Sequence, residues 1–379
     1  MSSLCDNFND CITGDDESDF LCSHQCFSLN CSTLTCLPII SKYLEVSCTK
    51  NRRKINCSDD IEPGTRAEYS CAPFYEPSID IHKSNNAAVC QVNGKWSRAI
   101  LDCKPSCGYL KEPVQLIVNG FETDITFPWH AALYIRKDGN FTFACGATLI
   151  SESFVLSAAH CFSHINEKDL KIVLGKRLTS YASNTDENIT QYFDANRIIR
   201  HPLYLDRIGN FGSDIAIVEL NQSVTLSDDV HPACVDWDLE DVTFDLTRNQ
   251  MGFIVGMGIT ENETNSESVR MATIPIVSSK ECIREQSKDF KKFITFTTFC
   301  AGWANGTGVC NGDSGGGLMV LSRDLKQWKV QGIVSLSPRR HSTFFCDPFK
   351  YTIFTKVGLY VRWMKSTMDS IKNYELDDI

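Results

Sequence analysis

Residues 308–320 read GVCNGDSGGGLMV, with one serine, Ser314, set between an aspartate and a run of three glycines. Glycine lets backbone N–H groups come close to a ligand and takes dihedrals that side chains forbid. A loop built this way can cradle an oxygen on which negative charge develops, with the serine beside it as nucleophile. A Gly-rich turn without chemistry is the plain alternative, and the loop alone does not separate the two.

A serine hydroxyl is a weak nucleophile near neutral pH, so it needs a base within hydrogen-bond reach and a third group to orient that base. Of the eight histidines, His160 lies in FVLSAAHCF, at the end of an apolar run and beside a cysteine. His201 and His231 precede prolines and read as turn residues, and the others lack comparable settings. Asp214 opens DIAIVEL, where its carboxylate is expected to be half buried at a strand start, accepting from an imidazole and fixing one tautomer. Taken alone, such an aspartate reads as a cap or salt-bridge partner. The chain order His160, Asp214, Ser314, at spacings of 54 and 100 residues, favours a catalytic set.

From about residue 117 onward short apolar runs alternate with turn signals: AALYI, ATLI, FVLSAA, KIVLG, DIAIVEL, GFIVGMG and WKVQGIVSL. That pattern predicts an all-β domain of two barrels. In VGLYVRWMKSTMDSIKNY, Val357, Tyr360, Val361 and Met364 recur at helical spacing and predict a terminal helix packed on the barrels.

LSAAHC, SDIAIVEL and GDSGG are motifs of trypsin-like serine proteases, and the chain resembles that group from Ile117 to near its C-terminus. The resemblance implies the chymotrypsin-like fold, a double six-stranded antiparallel β-barrel. It implies Ser314 as nucleophile, His160 as general base and then acid, Asp214 as its orienting partner, and the N–H groups of Gly312 and Ser314 as the oxyanion hole. It pairs Cys145 with Cys161, Cys282 with Cys300, Cys310 with Cys346, and Cys107 with Cys234, the last tethering the upstream modules. Gly252 and Val320 stand where a further bridge of the group would have its cysteines. Gly317 replaces a usual proline and is expected to loosen that turn.

Members of this group are made as zymogens, cut just before an Ile-Val pair. PVQLIVNGF therefore implies cleavage between Leu116 and Ile117, after which the new amino group pairs with Asp313. The residue six before the serine is Gly308, where an aspartate would confer preference for Arg and Lys; an uncharged pocket floor holds a cation only at a desolvation cost. Ser337 and Thr352 align with the pocket walls, and Thr352, where many relatives have glycine, shortens the slot. The expected preference is for Leu, Met or Phe over Trp, so the enzyme's own specificity accepts Leu116 and self-activation follows.

Upstream, residues 26–107 carry GTRAEYSC, Cys90, GKWS and Cys103 and resemble a sushi module, in which Tyr69 and Trp96 form a small core. The extra cysteines Cys26, Cys31, Cys48 and Cys57 depart from the four-cysteine pattern and leave their pairings open, with only Cys71–Cys103 assigned. Residues 1–22 resemble the second half of an LDL-receptor class A repeat. Asp6, Asp10, Asp16 and Glu17 offer hard oxygen ligands suited to Ca²⁺, against the plain reading of a solvated acidic loop. By that resemblance Cys5 pairs with Cys22, and the partner of Cys11 lies upstream of residue 1. The expected domains are thus 1–22, 26–107, an activation segment 108–116, and the protease domain 117–379.

The 379 residues carry a formal charge of −10 with a pI near 5.3, against a nucleic-acid partner, whose phosphates call for clustered Lys and Arg. Basic NRRK (51–54) and SPRRH (337–341) read as solvated loops. Nineteen cysteines point to an oxidising, secreted setting. N-x-S/T sequons at Asn30, Asn56, Asn140, Asn188, Asn221, Asn262 and Asn305 point the same way. No signal peptide is visible in MSSLCDNFND, and no run is apolar enough for a membrane span. The module order, the Leu-Ile activation bond and the uncharged pocket together resemble the modular serine proteases of arthropod innate immunity. That resemblance implies a haemolymph enzyme that answers an upstream pattern-recognition protein and activates a downstream protease zymogen toward Toll signalling or melanisation, under a serpin-type inhibitor. A protease homologue kept as a silent adaptor is the alternative, and the intact triad speaks against it.

Overall fold

Asn51 and Arg52, in left-handed backbone at φ 49° and 66°, turn the chain between strands β1 (Leu44–Lys50) and β2 (Arg53–Ile55). This two-residue turn matches the twist of the strands it joins, which is why so basic a stretch sits exposed at a hairpin tip. The structure is a computed structural model, and it describes residues 34–78, 86–111, 121–122, 126–181, 188–237, 249–258, 266–305, 309–310, 312–324, 326–340 and 345–377. The readings placed on Asp6, Asp10, Asp16, Glu17 and the Cys5–Cys22 pair, and those on Leu116, Ile117 and Gly308, fall outside the described residues.

The chain divides into two units, Met1–Pro105 and Ser106–Ile379. In the first, β3 (Arg66–Cys71), β4 (Tyr75–Pro77), β5 (Ala87–Val89) and β6 (Cys103–Pro105) join the opening hairpin as sheets β2-β1-β3-β5 and β4-β6. Tyr69 and Ala67 point inward with Cys48, Ile61 and Ala88, and Trp96 packs on them while its indole N–H donates to the Leu37 carbonyl at 3.0 Å. So small a core needs covalent help. It has Cys36–Cys90, Cys48–Cys57 and Cys71–Cys103, so two of the pairings that the sequence left open are closed.

The second unit begins with the short β7 (Phe121–Glu122). A closed barrel follows, built from β8 (His130–Lys137), β9 (Asn140–Ser151), β10 (Phe154–Ser157), β11 (Leu170–Leu174), β12 (Gln191–Arg200) and β13 (Ala216–Leu220). Asp138 and Gly139, at φ 49° and 85°, make the tight β8–β9 turn that an Asp-Gly pair predicts. The remaining strands are β14 (Met251–Gly256), β15 (Arg270–Val277), β16 (Thr298–Ala301), β17 (Gly317–Leu321), β18 (Trp328–Leu336) and β19 (Thr352–Lys356). They run β14-β17-β18-β19-β16-β15, and the β14–β15 pairing closes them into a second six-stranded barrel, with β7 added on β15. This is the expected chymotrypsin-like double barrel. Gly252 and Val320 are direct partners in the β14–β17 ladder, so backbone pairing takes the place of the absent bridge.

The terminal helix Val361–Asp377 buries Val361, Met364, Met368 and Ile371 against the core, with Val357 and Tyr360 from the turn before it. The Cys107–Cys234 bridge holds the segment 106–111. Gly108 exchanges backbone hydrogen bonds with Pro232 and Trp328 at 2.9 and 2.7 Å. His231, read from sequence as a turn residue, is buried with one ring nitrogen 3.0 Å from the Ser227 carbonyl and the other 2.7 Å from that of Tyr109.

Gly317 corrects one expectation. It does not loosen a turn: it is buried in β17, paired with Ile333, and a Cβ there would lie 2.3 Å from Thr148 Oγ1 of the first barrel and 3.1 Å from Val330 Cγ2. Its lack of a side chain is a packing requirement where the two barrels meet. Overpacking of this kind costs about 1–3 kcal/mol. Gly317→Ala is therefore expected to lower the melting temperature by roughly 2–10 °C in a calorimetric scan; an unchanged midpoint would mean that Thr148 swings aside freely.

Candidate active site

His160 sits in a short 3₁₀ helix, Ala159–Phe162, at the end of β10, and Asp214 just ahead of β13. Strands β10 and β13 pair antiparallel, with Ser157 opposite Ala216, which brings the two residues to one end of the first barrel. Asp214 is fully buried. Its Oδ1 accepts from the His160 backbone N–H at 2.9 Å, and its Oδ2 lies 2.8 Å from His160 Nδ1. With Nδ1–H donating to the carboxylate, Nε2 keeps its lone pair free for a proton.

The second barrel completes this pair. Ser335 Oγ, on β18, donates to Asp214 Oδ2 at 2.6 Å. Thr355 Oγ1, on β19, donates to the Asp214 carbonyl at 3.0 Å, and Tyr360 Oη lies 3.1 Å from Ser213 Oγ. A buried charge is tolerable only when it is hydrogen-bonded, and here one carboxylate takes three donors from both barrels. Burial works against a protonated His160, but the Asp214 charge, the hydrogen bond to it and the Asp206 charge together outweigh burial and raise its pKa. Both sulfurs of Cys145 and Cys161 lie within 4.8 Å of the imidazole, as a metal site would have them. Because they are joined to each other in a disulfide, they offer no thiolate for a metal.

Ser314 sits in the turn before β17. Its carbonyl accepts from Gly146 N at 2.8 Å, and Gly315 N donates to the Val334 carbonyl at 2.9 Å. Gly315 takes φ 80°, and a Cβ on it would fall 2.1 Å from Ser157 Oγ and 3.3 Å from Ala158 N. The serine turn is thus seated on the residues that lead into His160, which answers why a glycine follows the serine. Among the described residues no hydrogen bond joins the Ser314 hydroxyl to the imidazole; such contacts are often long before substrate binds. The N–H groups of Gly312 and Ser314 donate to no protein oxygen among the described residues.

The expected pocket walls do meet. Ser337 Oγ donates to the Val309 carbonyl at 3.2 Å and lies 3.1 Å from Thr352 Oγ1. A hydroxyl has one proton, so Thr352 is the donor in that second contact. Asp313 has its Oδ1 3.0 Å from Gly258 N and its Oδ2 2.9 Å from Cys310 N. Cys310–Cys346 and Cys282–Cys300 brace the loops on either side. Sequence reasoning named His160, Asp214, Ser314, Ser337 and Thr352 but missed Ser335, Thr355 and Tyr360. Nothing near those three in the sequence marks them, because their partner lies more than a hundred residues away.

Two antiparallel barrels, an Asp–His pair between them and a Gly-lined serine turn define the class of chymotrypsin-like serine proteases. The sequence pattern of the family described as Trypsin matches residues 117–364, and that of the Sushi repeat matches residues 35–107. The chain belongs to the trypsin family of serine proteases, with a sushi module ahead of the protease domain. It is 31% identical over 317 residues to "Clotting factor C" of Tachypleus tridentatus, covering 80% of this chain and 30% of that protein. It is 30% identical over 292 residues to "Mannan-binding lectin serine protease 1" of Mus musculus, covering 70% of this chain and 39% of that one. It is 29% identical over 351 residues to "CLIP domain-containing serine protease B4" of Anopheles gambiae, covering 88% and 87%. The chain thus spans about a third of the length of the clotting factor it matches. No helix among the described residues is long and apolar enough to cross a membrane.

Burial raises the Asp313 pKa to about 6, against the opposing pull of the Cys310 and Gly258 N–H groups and the Arg270 charge. The folded chain therefore keeps a proton there that the unfolded chain has already lost. This contribution to stability is present below the unfolded value of 3.8 and is lost as pH rises through about 6. Between those limits the uncut protein is expected to lose stability relative to Asp313→Asn, measured by urea unfolding at a series of pH values. Parallel curves for the two proteins would contradict the assignment.

Proposed function

We propose that the chain is a serine endopeptidase made as a zymogen, with His160, Asp214 and Ser314 as its catalytic triad. The observation that carries this reading is the imidazole held on a fully buried carboxylate, beside a serine turn whose Gly312 and Ser314 N–H groups donate to no protein oxygen among the described residues. Ser314 Oγ attacks the scissile carbonyl as its proton passes to His160 Nε2. Asp214 holds the tautomer and stabilises the imidazolium, and the N–H groups of Gly312 and Ser314 receive the oxyanion. His160 then gives the proton to the leaving amine, and water repeats the sequence on the acyl-enzyme. Loss of one oxyanion donor in such a site costs about 3 kcal/mol of barrier.

Activation is cleavage between Leu116 and Ile117, with the new amino group entering to pair with Asp313. Support comes from Asp313 itself: a desolvated carboxylate held by backbone donors gains most from an incoming cation. The pocket of Gly308, Ser337 and Thr352 holds uncharged residues of about the size of leucine, so the enzyme cleaves its own Leu116 bond. Its place is an extracellular, haemolymph protease cascade of arthropod immunity, leading to Toll signalling or melanisation. There an upstream pattern-recognition protein triggers it, a downstream protease zymogen is its substrate and a serpin-type inhibitor ends its action. Relatives whose names speak of clotting and of CLIP-domain proteases support that placement. The partial class A repeat, with Ca²⁺ on Asp6, Asp10, Asp16 and Glu17, and N-linked glycans on the sequons belong to the same proposal.

Two outcomes are expected. Purified protein cleaved at Leu116 labels with a fluorophosphonate while Ser314→Ala does not, and a Ser314→Ala chain alone keeps its Leu116–Ile117 bond by N-terminal sequencing. Unlabelled cleaved protein would point instead to a silent adaptor, and wild-type cleavage of the Ser314→Ala chain would remove self-activation. In the pocket, Thr352→Gly lengthens the slot, so the ratio of kcat/KM for Phe over Leu peptide amides is expected to rise roughly tenfold; a flat ratio would refute the wall assignment.

A further inference from the structure

The NRRK stretch, expected as a solvated loop, is the tip of the β1–β2 hairpin, and that tip is built against its own stability. Its two-residue turn is Asn51-Arg52, with Arg52 at φ 66°. Glycine is the residue for that left-handed position, and a long side chain holds it at a cost. Lys50 lies directly opposite Arg53 in the ladder, and like charges facing one another destabilise a strand pair. Lys54 follows, opposite Thr49. Four cations thus fall within the five residues 50–54, in a chain whose formal net charge is −10. At the base of the hairpin the Cys48–Cys57 disulfide ties its two arms together. These two cysteines lie outside the four-cysteine sushi pattern, so the brace belongs to this hairpin and not to the common frame of Cys36–Cys90 and Cys71–Cys103. A cross-link that restricts the unfolded chain offsets the cost of the tip above it. Left-handed backbone at a bulky residue and facing like charges, kept in place by their own brace, are the mark of a functional tip.

Of the four cations, Lys50 is neutralised by Glu62. Other acids of the module are engaged elsewhere, Glu68 with Arg66 at 3.1 Å and Asp59 with Asn56 Nδ2 at 3.2 Å. The side chains of Arg52, Arg53 and Lys54 are exposed and make no hydrogen bond or ion pair with the described residues. Successive side chains of a strand point to opposite faces, so Arg53 and Lys54 leave the ribbon on opposite sides, with Arg52 at its end. Charge on every side suits an extended polymer that wraps the tip, whereas a flat bilayer would meet one side alone. The hairpin also has no exposed large apolar side chain to insert into a bilayer: those of Leu34, Leu37, Ile40, Val89 and Val92 lie outside it. Two of the three free cations are guanidiniums, weakly hydrated forks that bind oxyanions through paired N–H groups. Their match is a sulfate ester, singly charged and itself weakly hydrated.

We propose that the β1–β2 tip is a docking site for a linear sulfated polysaccharide, held by Arg52, Arg53 and Lys54. The site is independent of the catalytic reading, because it belongs to the module ahead of the protease domain and needs neither cleavage nor the triad. Its contacts are charge-assisted and exposed, so they weaken as salt rises.

The probe is heparin, immobilised on a biosensor surface and offered the full-length, uncut Ser314→Ala chain at low salt. Arg52→Gly, Arg53→Gln and Lys54→Gln together are expected to weaken binding by roughly tenfold or more, through the lost release of counterions from the polyanion. Arg52→Gly relieves the turn, so this variant is expected to melt no lower than its parent in a calorimetric scan, which separates lost contacts from lost folding. Arg53→Gln with Lys54→Gln leaves the turn untouched and is expected to lose binding in the same direction. Arg362→Gln, Lys365→Gln and Lys372→Gln remove equal charge from exposed positions of the terminal helix and are expected to leave heparin binding unchanged. No binding of heparin at low salt overturns the proposal, as does binding that survives both tip variants or falls equally in the helix variant. Tighter binding to vesicles of phosphatidylserine in phosphatidylcholine also overturns it and makes the tip a membrane contact. Preference for polyphosphate over heparin of matched length overturns the choice of sulfate.

Discussion

The buried carboxylate of Asp214 is the interaction on which the site depends. A charge with no solvent contact is affordable only with donors on both oxygens, and the donors come from both barrels: the main chain and ring of His160 from one, Ser335 from the other. The hydrogen bonds of Thr355 and Tyr360 to the Asp214–Ser213 backbone and side chains extend the same seam. Neither barrel alone supplies all of these donors, so the site belongs to their junction. The absent side chain at Gly317 serves the same end, letting β17 lie against Thr148 so that the serine turn ahead of it reaches the first barrel.

Much of this was legible in the sequence because it is written locally. Apolar runs between turn signals set the strands, Asp138-Gly139 set a hairpin, and the helical spacing from Val357 to Met364 set the last element. The three motifs named His160, Asp214 and Ser314 because each sits where its own strand or turn presents it. What stayed illegible is set by register between distant strands. Ser335 is one of two serines in SLS, and only the β18 ladder decides that it, rather than Ser337, meets Asp214 while Ser337 faces Thr352. His231 looked like a turn residue because its proline is adjacent in sequence and its two carbonyl partners are not. Gly317 misled for a related reason: a glycine beside other glycines suggests slack, whereas the constraint on it comes from another barrel.

The charges in this molecule are placed by how much water they lose. Asp214 is sealed and fully partnered. Asp313 is desolvated, accepts from the N–H groups of Gly258 and Cys310 and feels the Arg270 charge, and burial raises its pKa. Asp214 and Asp313 thus differ through environment and not through chemistry, which on the proposed function is how one residue type can orient a base and another await a cation.

The bridge between Cys107 and Cys234 has a consequence for reach. With the segment 106–111 pinned by that bond, cutting the chain before Ile117 would yield two polypeptides but a single molecule. On the proposed activation, the cut protease domain would stay leashed to its leading modules instead of drifting away from them by diffusion.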